Sequence, residues 1–121
     1  LAGIAPGLLE IELELDLQQA QKLSLRCRTG ELSYDTKSKH LRCVNAAPVL
    51  ELHEGHLSLH VLIDRTSIEA FANGGVLDVG GVYFSDMNDA TLSLSVEGGS
   101  AQIRRLIVHE LNSIWDESSA H

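Results

Sequence analysis

From Leu9 to Leu17 the chain reads Leu9-Glu10-Ile11-Glu12-Leu13-Glu14-Leu15-Asp16-Leu17, with an apolar residue at every odd position and an acid at every even one. An extended backbone points successive side chains to opposite faces, so this stretch predicts a strand with one dry face and one acidic, wet face. A dry sheet face must be covered by a second layer. The same alternation returns in Leu23 to Arg28, Leu57 to Ile63 and Leu92 to Val96. Shorter candidate strands are Glu31 to Asp35, His40 to Val44, Val49 to Leu52, Ser67 to Ala72, Val76 to Phe84 and Ala101 to Leu111.

Turn residues punctuate these runs: Thr29-Gly30, Glu54-Gly55, Asn73-Gly74-Gly75 and Gly98-Gly99. Asn-Gly between two apolar runs marks a hairpin, because both central residues tolerate positive φ. No window of roughly eleven residues sustains a helical period, although Asp16 to Lys22 is expected to turn once as a helix. About ten short strands at this spacing predict an all-β fold, a two-sheet antiparallel β-sandwich of the jelly-roll, concanavalin-like kind. At 121 residues the chain fits one domain, expected to span residues 1–115, with residues 116–121 as a frayed tail.

Nine Lys and Arg against 17 Asp and Glu give a net charge of −8, which opposes binding to nucleic acid or anionic lipid. No run approaches the roughly 18 apolar residues of a membrane-spanning helix, so neither nucleic acid nor membrane is an expected partner. The opening residues Leu1 to Gly7 lack the basic start and apolar run of a signal peptide, and the chain reads as an excised fragment or processed product. Charge is uneven: Lys22 to Arg42 holds six basic and two acidic residues, whereas Cys43 to Ile103 holds one basic residue, Arg65, and eight acids. Clustered solvated faces account for this, with a charged docking surface as the alternative. Cys27 and Cys43 fall at inward-looking strand positions and read as buried free thiols. They leave the compartment open.

Candidate chemistry is sparse. Asp64 and Glu69 are the obvious carboxylate pair, but on one continuous strand they would point to opposite faces about 16 Å apart. Glycoside hydrolysis needs two carboxyl groups flanking one bond at about 5 to 10 Å, so the pair could meet only if Asp64 to Ser67 is a turn. A structural corner is expected there, with Asp64 capping turn amides and Arg65 pairing with a carboxylate such as Glu69. His53, His56 and His60 are the only histidine cluster, and His56 and His60 would lie about 13 Å apart on one strand, too far for one ion. No metal and no cofactor is expected. No Ser sits in a Gly-x-Ser-x-Gly elbow, and the Gly74-Gly75, Gly80-Gly81 and Gly98-Gly99 pairs read as turns, bulges or close sheet contacts. Sugar binding relies on an aromatic platform, and only Tyr34, Phe71, Tyr83, Phe84 and Trp115 are available. Trp115 and Tyr83 are the candidate sugar contacts.

The run Leu57 to Gly75, with Asp64-Arg65-Thr66-Ser67-Ile68-Glu69-Ala70-Phe71-Ala72-Asn73 at its centre, resembles the signature hairpin of the C-terminal β-sandwich of glycoside hydrolase family 32. That family contains invertases, levanases, inulinases and related β-fructofuranosidases. Glu10 to Asp16 resembles the opening strand of that module, Tyr34-Asp35 its early hairpin, and Ala47 to Glu51 the lead-in to the signature. Val96 to Gly99 and Leu111 to Trp115 resemble its closing strands, so the likeness covers nearly the whole chain.

The resemblance implies a sandwich packed beside a five-bladed propeller that does the catalysis and is absent from this chain. Asp64, Arg65, Ser67, Glu69, Phe71 and Asn73 then carry a family signature with a structural role. The family's three catalytic carboxylates lie in Trp-Met-Asn-Asp-Pro-Asn-Gly, Arg-Asp-Pro and Glu-Cys motifs, and none is present. Met87-Asn88-Asp89-Ala90 mimics part of the first and reads as a turn. The sequence departs from its relatives at the hairpin tip, where Gly74 replaces Asp. It departs again where Gly80, Gly81, Val82 and Ser85 stand in a Thr-Ser-Arg-x-Phe-Pro strand, and in the short stretch from Arg42 to Ala47. The expected role is a non-catalytic buttress to the propeller of a fructan- or sucrose-cleaving hydrolase. A fructan-binding or lectin-like module is the alternative, and an orphaned docking face that self-associates into a homo-oligomer is the third.

Overall fold

The computed structural model describes residues 8–27, 30–64, 67–82 and 92–111. They form nine strands: β1 (Leu8–Asp16), β2 (Lys22–Cys27), β3 (Gly30–Asp35), β4 (His40–Cys43), β5 (His56–Ile63), β6 (Ser67–Ala72), β7 (Leu77–Val82), β8 (Leu92–Glu97) and β9 (Gln102–Leu111). Two antiparallel sheets face each other, one of five strands in the order β7-β6-β5-β1-β9 and one of four in the order β4-β3-β2-β8. The sandwich read from the sequence is the observed architecture.

The alternating strand β1 lies inside the larger sheet, with β5 on one side and β9 on the other. Ile11, Leu13 and Leu15 are wholly buried, and their β5 partners Val61, Leu59 and Leu57 face inward with them. The second sheet answers with Leu23, Leu25, Leu32, Tyr34 and Leu41. A bulge breaks the β1–β9 register between Glu14 and Leu15, so that Arg105 pairs with Glu14, Ile103 with Leu15, and Arg104 is the extra residue.

Cys27 and Cys43 are buried and unbridged. The intervening strand β3 separates β2 from β4, and two strand spacings of about 4.8 Å exceed the Cα separation a disulfide tolerates. Burial pushes the Cys43 thiol up to about 11, which keeps it protonated and inert.

Three expectations about local structure are corrected. Asp16 to Lys22 holds no helical turn: Ala20 N–H donates to Leu17 O at 3.0 Å, a β-turn that carries the chain from one sheet to the other. Bonds from Leu17 N–H to Gly55 O and from Gln21 N–H to Glu97 O fix this crossover. Val49 to Leu52 is no strand, and only Val49 makes a bridge, to His40. Pro48 has no N–H to continue a ladder, so the segment is pinned at isolated points: Leu41 N–H to Pro48 O, Leu50 N–H to Lys39 O, and the Tyr34 hydroxyl to Leu50 O at 2.7 Å. The strand expected from Val76 begins at Leu77, because residues 73–76 are the hairpin turn.

The stretch after Arg42 and Gly81 of β7 meet in space. The short stretch after Arg42 is a tight reversal in which Cys43 and Ala46 exchange hydrogen bonds and Val44 takes a φ of 55°. Val44 lies over Gly81 of β7, where an added Cβ would come within 2.7 Å of the Val44 Cβ. The missing side chain at Gly81 makes room for this tight reversal.

Candidate functional site

The signature run forms the β5–β6 hairpin of the larger sheet. Asp64 terminates β5: its N–H donates to Ser67 O at 2.9 Å, and its Oδ1 accepts the Ser67 N–H at 2.8 Å and the Ser67 hydroxyl at 3.1 Å. The short polar side chain thus holds the reversal closed from within, the usual work of Asp at a turn. At the other end of β6, Asn73 adopts a φ of 50° and accepts the Ser58 N–H through Oδ1 at 2.9 Å, while its own N–H donates to Ser58 O. Phe71 lies on the outer face opposite His60, with ring centroids 6.1 Å apart.

The reversal leaves Asp64 just past the end of β5 and Glu69 within β6. Glu69 pairs with Leu62 across the hairpin, and the carboxylate that reaches it comes from β7. A hydrogen bond to Asp78, reinforced by the Asp78 charge, raises the Glu69 pKa above its ordinary 4.5. Sequence spacing did not reveal Asp78, because its position depends on the β6–β7 register, which places it opposite Phe71 and diagonal to Glu69. Arg65, Tyr83, Trp115, the Met87 to Ala90 turn and the tail from residue 116 lie outside the described residues.

A prediction follows from the Glu69–Asp78 pair. A raised carboxylate pKa means that the fold loses stability as pH rises through the folded-state value. Glu69→Gln is therefore expected to raise the melting temperature by about 2 °C at pH 7, with variant and parent converging below about pH 4. Scanning calorimetry at both pH values checks this, and an unchanged or lower melting temperature at pH 7 refutes it.

The wet face of β1 is a row of acids met from both sides. Glu10 takes His60 of β5 at 2.6 Å and has His109 of β9 at 3.6 Å. Glu12 takes Arg105 at 3.2 Å. Asp16 takes Arg104 and, at 3.1 Å, His56. The hydrogen bond from His60 holds Glu10 below its ordinary 4.5, and that from Arg104, with His56 behind it, holds Asp16 below 3.8. Both groups favour the fold above those ordinary values and lose that contribution as pH falls through their lower folded-state values. These cross-strand partners come from distant parts of the chain, and nothing in the local sequence around His109 pointed to Glu10.

His56 and His60 thus serve different carboxylates. Among the described residues no three His, Cys, Asp or Glu side chains converge as metal ligands. At one end of the same face an open basin of about 780 Å³ is lined by Glu14, Asp16, His53, His56, Asn73 and Arg104 among others, with no Trp, Tyr or Phe in its described wall. It offers hydrogen bonds without a stacking surface.

The sequence profile described as Glycosyl hydrolases family 32 C terminal matches residues 3–110. The chain belongs to this family. A levanase from Bacillus sp. is 30% identical over 99% of this chain, which spans only 16% of that protein. A fructan beta-fructosidase from Streptococcus mutans is 29% identical over 82% of the chain, which spans 7% of that protein. Among solved structures, an exo-inulinase from Aspergillus awamori matches with a TM-score of 0.74 at 16% identity, covering 93% of this chain and 26% of that one. A fructofuranosidase from Schwanniomyces occidentalis matches with a TM-score of 0.68 at 14% identity, covering 88% and 29%. The family 32 C-terminal sandwich is therefore the fold, and the chain corresponds to a small part of its relatives' length.

Proposed function

We propose that this family 32 module is the non-catalytic C-terminal sandwich of a fructan- or sucrose-cleaving hydrolase and buttresses a five-bladed propeller domain. The observation that carries the reading is a match across 99% of the chain that spans 16% of a levanase, in a sequence without any of the family's catalytic carboxylate motifs. On this reading Asp64, Arg65, Ser67, Glu69, Phe71 and Asn73 build the hairpin. The bonds of Ser67 to Asp64 and of Ser58 to Asn73 support that assignment.

The test is direct. Incubated with sucrose, levan or inulin, the chain releases no fructose, whereas the same polypeptide extended upstream through the propeller does. Turnover by the chain alone, lost in Asp64→Ala or Glu69→Ala, overturns the proposal. Fructan binding is a second reading, favoured by the polar basin beside Asp16 and His56. Calorimetric titration with levan oligosaccharides separates the two, and no heat at millimolar sugar removes the second.

A further inference from the structure

Antiparallel pairing carries an inward orientation from one strand to its neighbour. Val108, Leu106 and Ile103 of β9 pair with Ile11, Leu13 and Leu15 of β1, which are wholly buried, so all three face the interior side of the larger sheet. They are nonetheless 43%, 45% and 49% exposed. Among the described residues, four strands face five. Strand β4 lies against β6 and β7, which sets the smaller sheet toward that side and, among the described residues, leaves β9 without a full roof. At the same edge the inward residues of β8, Leu92, Leu94 and Val96, are only half-buried. The sandwich is open along β8 and β9, and apolar side chains from both sheets line the opening.

The other edge is closed by different means. Strand β4 is four residues long, Pro48 follows it, and Val44 packs onto β7 at Gly81. Strand β9 has ten residues and no proline, and among the described residues no strand pairs with its outer side, the kind of edge that proteins keep covered.

We infer that the β8–β9 edge is the surface on which the preceding domain of the same polypeptide docks. This rests on the proposed function, since it is the propeller that would precede the chain. The tether supports that occupant. Leu8, the first described residue of β1, pairs with Leu111 of β9, so chain arriving from upstream is delivered beside the open edge. The supply of chain supports it too, because this module spans only 16% of the levanase it matches. An apolar segment of the preceding domain laid against Ile103, Leu106 and Val108 would complete the roof.

Hydrogen exchange, compared between this chain and the polypeptide extended upstream, tests the inference. Amides of residues 102–110 are expected to exchange at least tenfold more slowly in the longer polypeptide, with the β4 and β7 edge unchanged. Leu106→Asp should lower the melting temperature of the chain alone by several degrees while leaving it folded, and abolish the added protection in the longer form; Leu106→Ser serves if the aspartate prevents folding. Protection gained elsewhere, or nowhere, overturns the inference. So does concentration-dependent protection of β9 in the chain alone, which assigns the edge to a second copy. Fructose release with β9 unprotected rejects the docking surface alone, whereas a longer polypeptide that releases no fructose rejects the functional reading.

Discussion

Gly99→Ala is expected to destabilise the chain by about 4 kcal/mol, a large share of a domain's usual margin, while Gly74→Ala costs about 1 kcal/mol. Both glycines have positive φ, 153° at Gly99 and 73° at Gly74, so both substitutions strain the backbone. The difference is what a methyl group meets. At Gly74 nothing lies within 4 Å, whereas at Gly99 it would sit 2.4 Å from Gln19 O and 2.7 Å from Gln19 C. Those are backbone atoms of the crossover between β1 and β2, and they cannot rotate away as a side chain would. Relief requires the crossover to part from the β8–β9 turn, which breaks the bond from Gln19 N–H to Ser100 O and loosens that from Gln21 N–H to Glu97 O. Urea unfolding of the two variants decides it. Costs that agree within about 1 kcal/mol would mean that the two glycines are needed only for their φ, and the packing argument would fail.

The sheet-forming segments were legible because a two-residue period needs no partner to be recognised. Leu9 to Leu17 and Leu57 to Ile63 alternate so strictly that any one-residue slip would bury a row of charged or polar side chains. The exceptions share a cause. Val49 to Leu52 has strand composition, yet Pro48 and the anchoring Tyr34 hydroxyl decide its path, and both act through contacts outside the segment. The short run after Asp16 has helical composition, yet Leu17 and Gln21 are committed to Gly55 and Glu97 in other parts of the chain. Tertiary hydrogen bonds outweigh a propensity worth only a few tenths of a kcal/mol per residue.

The hairpin chemistry divides in the same way. Asp64 falls where alternation breaks, and its capping bonds to Ser67 are local, so the corner was readable. The partner of Glu69 was not, because Asp78 arrives only through the β6–β7 register that the Asn73 turn sets. The Glu10 cluster was further from view: His60 and His109 come from strands on either side of β1, and neither neighbourhood could be inferred before strand order was known. The uneven charge along the chain maps less simply onto the fold. Lys22 and Arg26 of β2 and Arg42 of β4 belong to the smaller sheet and Lys37 and Lys39 to the turn between β3 and β4, while Glu51, Glu54, Asp64, Glu69, Asp78 and Glu97 of the acidic stretch are spread over loops, turns and strands of both sheets.

Leu13→Ala is expected to cost about 3 kcal/mol and Leu106→Ala less than about 1 kcal/mol, although the two leucines are direct cross-strand partners on the same face. Leu13 is wholly buried between Leu59 and Leu106, so truncation leaves a cavity that rigid sheet neighbours cannot fill. Leu106 is already 45% exposed, and truncation there removes little surface from a dry environment and opens no enclosed space. Urea unfolding with an unchanged slope measures both costs in this chain. Equal costs would show that Leu106 is as enclosed as its partner, and the open edge would have no physical basis. In the polypeptide extended upstream, a roof over β9 turns Leu106 into a core residue, and the cost of Leu106→Ala should then climb toward that of Leu13→Ala.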